Sequence, residues 1–184
     1  MDDGVIRRAQ QGDHDAFRLL MTMHIDRLFA VSSLIARDHA LAQDAVQEAL
    51  VRAWRDLPKL REPSKVSSWL ARLTVRATYD LLRRQRRVRE IRPLTEDAAV
   101  SADESARSVD RVLVGWAFDR LPPEQRAVIV LHYHLGLSLD EAAASLGIPP
   151  GTARSRLNAA LTSMRRWMGA DRERKPRALT EVAK

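Results

Sequence analysis

Apolar residues that return every three or four positions, in stretch after stretch, constrain this chain more than any other feature. Phe17, Leu20, Met21, Ile25, Leu28, Val31 and Ile35 form one such series behind a potential cap at Asp13. That spacing puts a single apolar stripe on a helix. Leu41, Ala45, Ala49 and Ala53 form a second series between about Asp38 and Leu57, ended by Pro58. A third begins near Ser64 or Ser67, contains Leu70, Leu73 and Ala77, and runs through an arginine-rich stretch to Pro93. No segment alternates with period two, so an all-α fold is expected.

Residues 94–108 differ in kind: Ala, Ser, Asp and Glu dominate and no amphipathic period survives. The expected organisation is a helical domain over 1–93, an acidic flexible linker over 94–108, a second small helical domain over 109–170, and a flexible tail over 171–184. The second domain opens with Val109, Val112, Leu113 and Trp116 at core spacing. Leu121-Pro122-Pro123-Glu124 then starts a new helix, filled by Val128, Ile129 and Leu131.

Charge follows the same partition. The formal net charge is +7; residues 1–93 carry 18 basic and 12 acidic groups, residues 94–110 one and five, and the remainder 12 and seven. Two basic lobes flanking an acidic strip suit a polyanionic partner, because binding phosphates releases condensed counterions. The chain has no Cys, which excludes disulfides, thiol catalysis and Cys-ligated zinc. Its five His are dispersed, and His132 and His134 diverge on a helix. No catalytic, metal or cofactor constellation accompanies the carboxylates at Asp140-Glu141 or Asp2-Asp3. No apolar run reaches the roughly 18 residues of a membrane span, and the first residues lack the order of a secretory signal. A cytoplasmic protein without membrane insertion is expected.

The sharpest local signal spans Ser138 to Leu157. Ser138 and Glu141 make a capping-box pattern, Ala142 and Ala143 keep the helix slim, Gly147 allows a left-handed turn, and Pro149-Pro150 suit a helix start. Leu157 and Leu161 face inward while Thr152, Arg154, Ser155, Arg156 and Asn158 stay outside. This reads as a helix-turn-helix whose second helix enters the major groove. Arg154, Ser155 and Asn158 are the candidates for base edges, since Arg and Asn make bidentate contacts there, and Arg156 for phosphate. Arg165 and Arg166 extend the basic side.

Two further surfaces stand out. Trp69, Arg72, Arg76, Tyr79, Arg83 and Arg86 recur at helical spacing as an aromatic-interleaved basic stripe, suited to unpaired bases because rings stack on bases while guanidiniums hold the backbone. Trp69 alone fits a core as well as a stack. Asp44, Gln47, Glu48, Arg52 and Arg55 form a polar face on the second helix, equally consistent with solvated i, i+4 pairs.

The order of these three signals resembles the sigma-70 family, in particular its small extracytoplasmic-function (ECF) group. Asp44-Ala-Val-Gln-Glu-Ala-Leu-Val-Arg-Ala-Trp54 is similar to the family's core-polymerase-binding segment. Ser68-Trp-Leu-Ala-Arg-Leu-Thr-Val-Arg-Ala-Thr-Tyr-Asp-Leu-Leu-Arg-Arg84 resembles the helix that opens and reads the downstream (minus 10) promoter element. Leu121-Pro-Pro-Glu-Gln-Arg126 with the helix-turn-helix resembles the domain that reads the upstream (minus 35) element. The resemblance implies that Asp44, Gln47, Glu48 and Arg52 dock on the clamp helices of core RNA polymerase, whose flap is a further contact. It implies that Trp69, Arg76, Tyr79 and Asp80 lie near the melted strand, Arg83 and Arg84 on phosphates, and Thr152, Arg154, Ser155, Arg156 and Asn158 on the upstream duplex. Members frequently carry Asn where Arg76 stands, and a basic residue where Ala159 stands. The implied partners are core polymerase, promoter DNA and an anti-sigma factor, with no cofactor and no small-molecule substrate. A stand-alone helix-turn-helix regulator is the competing reading; it accounts for the basic lobes but not for a separate domain bearing a docking face and an arginine-aromatic stripe.

Overall fold

The computed structural model describes residues 3–91 and 109–178, all of whose regular structure is helical. The linker expected over 94–108 and Pro93 lie outside the described residues. The first group of helices comprises α1 (Asp3–Gln10), α2 (His14–Thr22), α3 (Ile25–Ala36), α4 (His39–Asp56) and α5 (Val66–Ile91). The second comprises α6 (Val109–Asp119), α7 (Pro123–Ile129), a π-helical turn (Val130–His134), α8 (Leu139–Leu146) and α9 (Pro150–Ala178).

The first apolar series is divided rather than continuous. Asp13 caps α2 through its carboxylate, which accepts from the Asp15 and Ala16 amides. After Thr22 the chain tightens, with the Met23 amide donating to Leu19 O and the His24 amide to Met21 O, and α3 begins at Ile25. Both pieces keep the same face inward, so Leu20, Met21, Leu28, Val31 and Ile35 are buried on either side of the break. The stripe is blind to a bend that preserves it. α3 ends at Arg37, which adopts the left-handed conformation (φ 55°) of a C-terminal cap.

Small residues set the spacing between α4 and α5. Ala45, Ala49 and Ala77 are almost fully buried against one another, which lets the two backbones approach closely. Ser32 and Thr78 share a 2.8 Å buried hydrogen bond between α3 and α5, so neither hydroxyl is left unpaired.

The second group departs from expectation at two places. The chain between Val130 and His134 forms a π turn, closed by the Leu135 amide donating to Val130 O and by His132 Nδ1 lying 2.7 Å from Leu137 O. α9 continues through Pro176 to Ala178, where a frayed tail from Asp171 was expected.

The two groups pack on each other. Val31, Ile35, Val75 and Tyr79 of the first join Ala127, Val128, Leu131, Leu146 and Leu157 of the second in one apolar cluster. At roughly 1.5–3 kcal/mol per buried large aliphatic side chain, this seam is a substantial part of the molecule's stabilisation. It brings α5 against α7 and α8, and α3 against α7.

Candidate nucleic-acid interface

The helix-turn-helix is built by its caps. Ser138 Oγ accepts from the Glu141 amide while the Glu141 carboxylate accepts from the Ser138 amide, closing the capping box of α8. These contacts, first the Ser138 backbone and then its hydroxyl, hold the Glu141 carboxyl below its usual range. Gly147 ends α8 at φ 63°, the left-handed region that side chains disfavour. Ala142, Ala143, Leu146, Ala153, Leu157 and Ala160 close the core beneath. On the outer face, Arg154, Ser155 and Asn158 are exposed, and Thr152 is half-buried. Ser155 Oγ donates back to Thr152 O, and Arg154 pairs with Asp140 of α8 at 2.9 Å. An exposed pair of this kind contributes little and yields readily to another anion.

The stripe on α5 divides along its length. Arg83 and Arg84 are exposed, Trp69 is half-buried against the core of the first group, and Tyr79 is only 3% exposed. The second group covers Tyr79. Arg156 Nη1 donates to the Tyr79 hydroxyl at 2.9 Å, so a residue expected on phosphate and one expected at the melted strand hold each other. Arg76 likewise reaches across, donating to Ser145 O at 3.3 Å while its Nε donates to Asp80 at 3.2 Å. Its guanidinium lies where a β-carbon on Gly147 would stand. Arg76 therefore bridges the two helix groups.

The α4 face is continuous with this network. Asp44 and Gln47 are exposed. Arg52 bonds Glu48 one turn away and also lies 3.4 Å from Asp80 of α5, and Arg84 stands 3.8 Å from Glu48. Glu48, Arg52, Asp80 and Arg76 thus form a chain of alternating charge from the expected polymerase face to the expected downstream reader.

One buried tie between the helix groups escaped sequence reasoning. Arg126 is buried at 6% exposure and donates to Ile35 O at 2.9 Å, Leu121 O at 2.8 Å and Asp119 O at 3.3 Å, one bond crossing between the helix groups. Burial, reinforced by the neighbouring Arg37, lowers its pKa to about 10, still well above neutrality, so it stays charged. Arg37 itself pairs with Asp119. The available signal was local: Arg126 precedes the apolar run Ala127 to Leu131 with no acid one turn ahead on the helix, a context that suits a buried cation tied to carbonyls.

Among the described residues no group of three or more His, Asp or Glu is arranged to hold a metal ion. No single described helix is long and apolar enough to cross a membrane.

Comparison with known proteins places this arrangement. Residues 20–88 match the family model for Sigma-70 region 2 and residues 115–164 the model for Sigma-70, region 4. The chain is 37% identical over 158 residues to the ECF RNA polymerase sigma factor SigM of Mycobacterium tuberculosis, covering 86% of this chain and 80% of that protein. Among solved structures, the sigma factor RpoE in complex with the anti-sigma factor NepR from Bartonella quintana shares the fold at TM-score 0.64 and 24% identity, over 84% of this chain and 98% of that one. CnrH in complex with the cytosolic domain of CnrY matches at TM-score 0.57 and 26% identity, over 92% of this chain and 98% of that one. A two-part helical protein with a capped helix-turn-helix and a basic α5 defines the class, and the chain belongs to the sigma-70 family, in its extracytoplasmic-function group.

Proposed function

We propose that this chain binds core RNA polymerase in the cytoplasm and directs it to promoters, acting by recognition rather than by covalent catalysis. The observation that carries the reading is the succession of region 2 and region 4 matches on helices whose outward residues suit those roles. Asp44, Gln47, Glu48 and Arg52 are the docking face for the polymerase clamp helices. Trp69, Arg76, Tyr79 and Asp80 serve the opened downstream element, with Arg83 and Arg84 on its phosphates. Thr152, Arg154, Ser155, Arg156 and Asn158 serve the upstream duplex, with Arg154 and Asn158 supplying bidentate donors. The domain limits follow the same division: 1–93 for polymerase and the downstream element, 109–170 for the upstream element.

The closed packing bears directly on this reading. Tyr79 can meet a strand only after the second helix group leaves α5, which would also release Arg76 from Ser145 O, so productive binding requires separation of the groups. An anti-sigma factor that covers the docking face and the upstream reader would oppose that change; among the similar solved structures, CnrH is in complex with the cytosolic domain of CnrY. The test is transcription in vitro from a genomic DNA library with core polymerase, with and without the chain. New start sites sharing upstream and downstream elements are expected. Failure of core polymerase to bind the chain, or to start at any defined site in its presence, removes the proposal.

A further inference from the structure

Two adjoining hollows open on the seam between the helix groups. The larger, of about 360 Å³, is lined by Arg83, Arg86 and Arg87 of α5, Glu124 of α7 and Arg156 of α9. The second, of about 290 Å³, shares Tyr79, Arg83, Arg86 and Glu124 with it and adds the apolar surfaces of Leu82, Pro122 and Pro123. Such volumes sit at the lower end of the ~300–1,000 Å³ typical of small-ligand sites.

Among the described residues the charges of this cleft do not balance: Glu124, the one described carboxylate lining it, is engaged by Arg86 at 3.0 Å. No described carboxylate forms an ion pair with Arg83, Arg87 or Arg156. The guanidiniums of Arg83 and Arg156 both face the Tyr79 ring, with carbons 5.7 and 5.8 Å from its centroid. Cations from two domains therefore converge on one partly enclosed space, where their repulsion opposes the apolar contacts beneath. A multivalent anion relieves that repulsion and gains charge-assisted hydrogen bonds from planar guanidiniums, which suit phosphate oxygens. The neighbouring apolar hollow fits a flat, uncharged group attached to such an anion.

We propose that the seam is a binding site for a nucleoside polyphosphate, with phosphates on Arg83, Arg87 and Arg156 and the base along Leu82, Pro122 and Pro123. Because the site needs residues from both helix groups, the bound ligand selects their closed packing. It also occupies Arg83 and Arg156, which the proposed function assigns to promoter phosphates, so ligand and DNA compete.

Isothermal titration of the full chain with ATP, GTP, inorganic tripolyphosphate and guanosine, at fixed ionic strength, tests this. One equivalent of a nucleoside triphosphate is expected to saturate the protein, with tripolyphosphate and guanosine each at least tenfold weaker. Arg156→Ala and Arg87→Ala are expected to weaken binding at least tenfold, and Arg165→Ala, an exposed cation outside the seam, to leave it unchanged. Arg87 is exposed and forms no ion pair or hydrogen bond with described residues, so its substitution reports on the site even where Arg156→Ala opens the seam. Absence of saturation, equal affinity for tripolyphosphate, or an equal loss in Arg165→Ala overturns the proposal. These readouts are independent of transcription.

Discussion

The hydroxyl of Tyr79 accepts a hydrogen bond from Arg156 Nη1 at 2.9 Å, joining the helix proposed to read the downstream element to the helix proposed to read the upstream one. Tyr79 and Arg156 are thereby occupied by each other, while Arg154, Ser155 and Asn158 on the same α9 stay exposed. Tyr79→Phe removes the acceptor and leaves the ring, which isolates the bond from the packing. Loss of a hydrogen bond to a charged group costs about 1.5–3 kcal/mol at most and less at a partly wet rim. The expected outcome is a larger average distance between fluorophores on α2 and α9, with helix content unchanged by circular dichroism. An unaltered distance distribution would show that the apolar seam alone sets the packing.

Arg126→Met is expected to destabilise the whole molecule by about 2–4 kcal/mol, because three carbonyls lose their donor in a buried setting. Urea unfolding at neutral pH measures it. Arg126→Lys is expected to recover little, since one ammonium cannot reproduce the planar fork.

Gly147→Ala forces a side chain into φ 63° and displaces the Arg76 guanidinium. The guanidinium is mobile and moves at small cost, so the backbone strain of about 1 kcal/mol dominates. Thermal melting is expected to fall by a few degrees, and the Arg76 contact with Ser145 O to be lost from the crystal structure of the variant.

His24 is buried beside Ser67, and desolvation followed by repulsion from Arg27 lowers its pKa from the ordinary 6.5. Protons therefore bind more readily to the unfolded chain, so stability is unaffected above about pH 6.5 and falls as pH drops below it. Unfolding free energies between pH 7.5 and 5.5 should show this decline, and His24→Leu should flatten it. A decline of unchanged slope in the variant would assign the effect to carboxylates.

Arg154→Ala is expected to weaken promoter use by about 1–3 kcal/mol and to relax preference at one upstream base pair. Transcription from a library of single-base upstream variants separates the outcomes. A uniform loss across all of them would move Arg154 to the phosphate backbone.

The helices and the helix-turn-helix were legible because their determinants are local. Ser138, Glu141 and Gly147 lie within ten positions and fix both caps of α8, while the spacing of Leu41, Ala45, Ala49 and Ala53 selects the buried face of α4. The break at Met23-His24 was not legible, since Leu20 and Leu28 face the core whether or not the axis bends between them. Nor was the fate of Tyr79. A helical stripe specifies which residues share a face, and nothing in its period says whether solvent, DNA or another domain covers that face. The Arg126 bond to Ile35 O joins positions 91 residues apart, a distance at which pattern carries no register.

The ion-pair chain from Glu48 through Arg52 and Asp80 to Arg76 has a consequence for how this protein can change over generations. Arg52 touches both the carboxylate beside it on α4 and the one beneath Arg76, so under the proposed roles a substitution that alters the docking face also alters the surroundings of the proposed downstream reader. If those roles hold, the two traits are coupled, and lineages that retune their promoters are expected to carry paired changes on both helices.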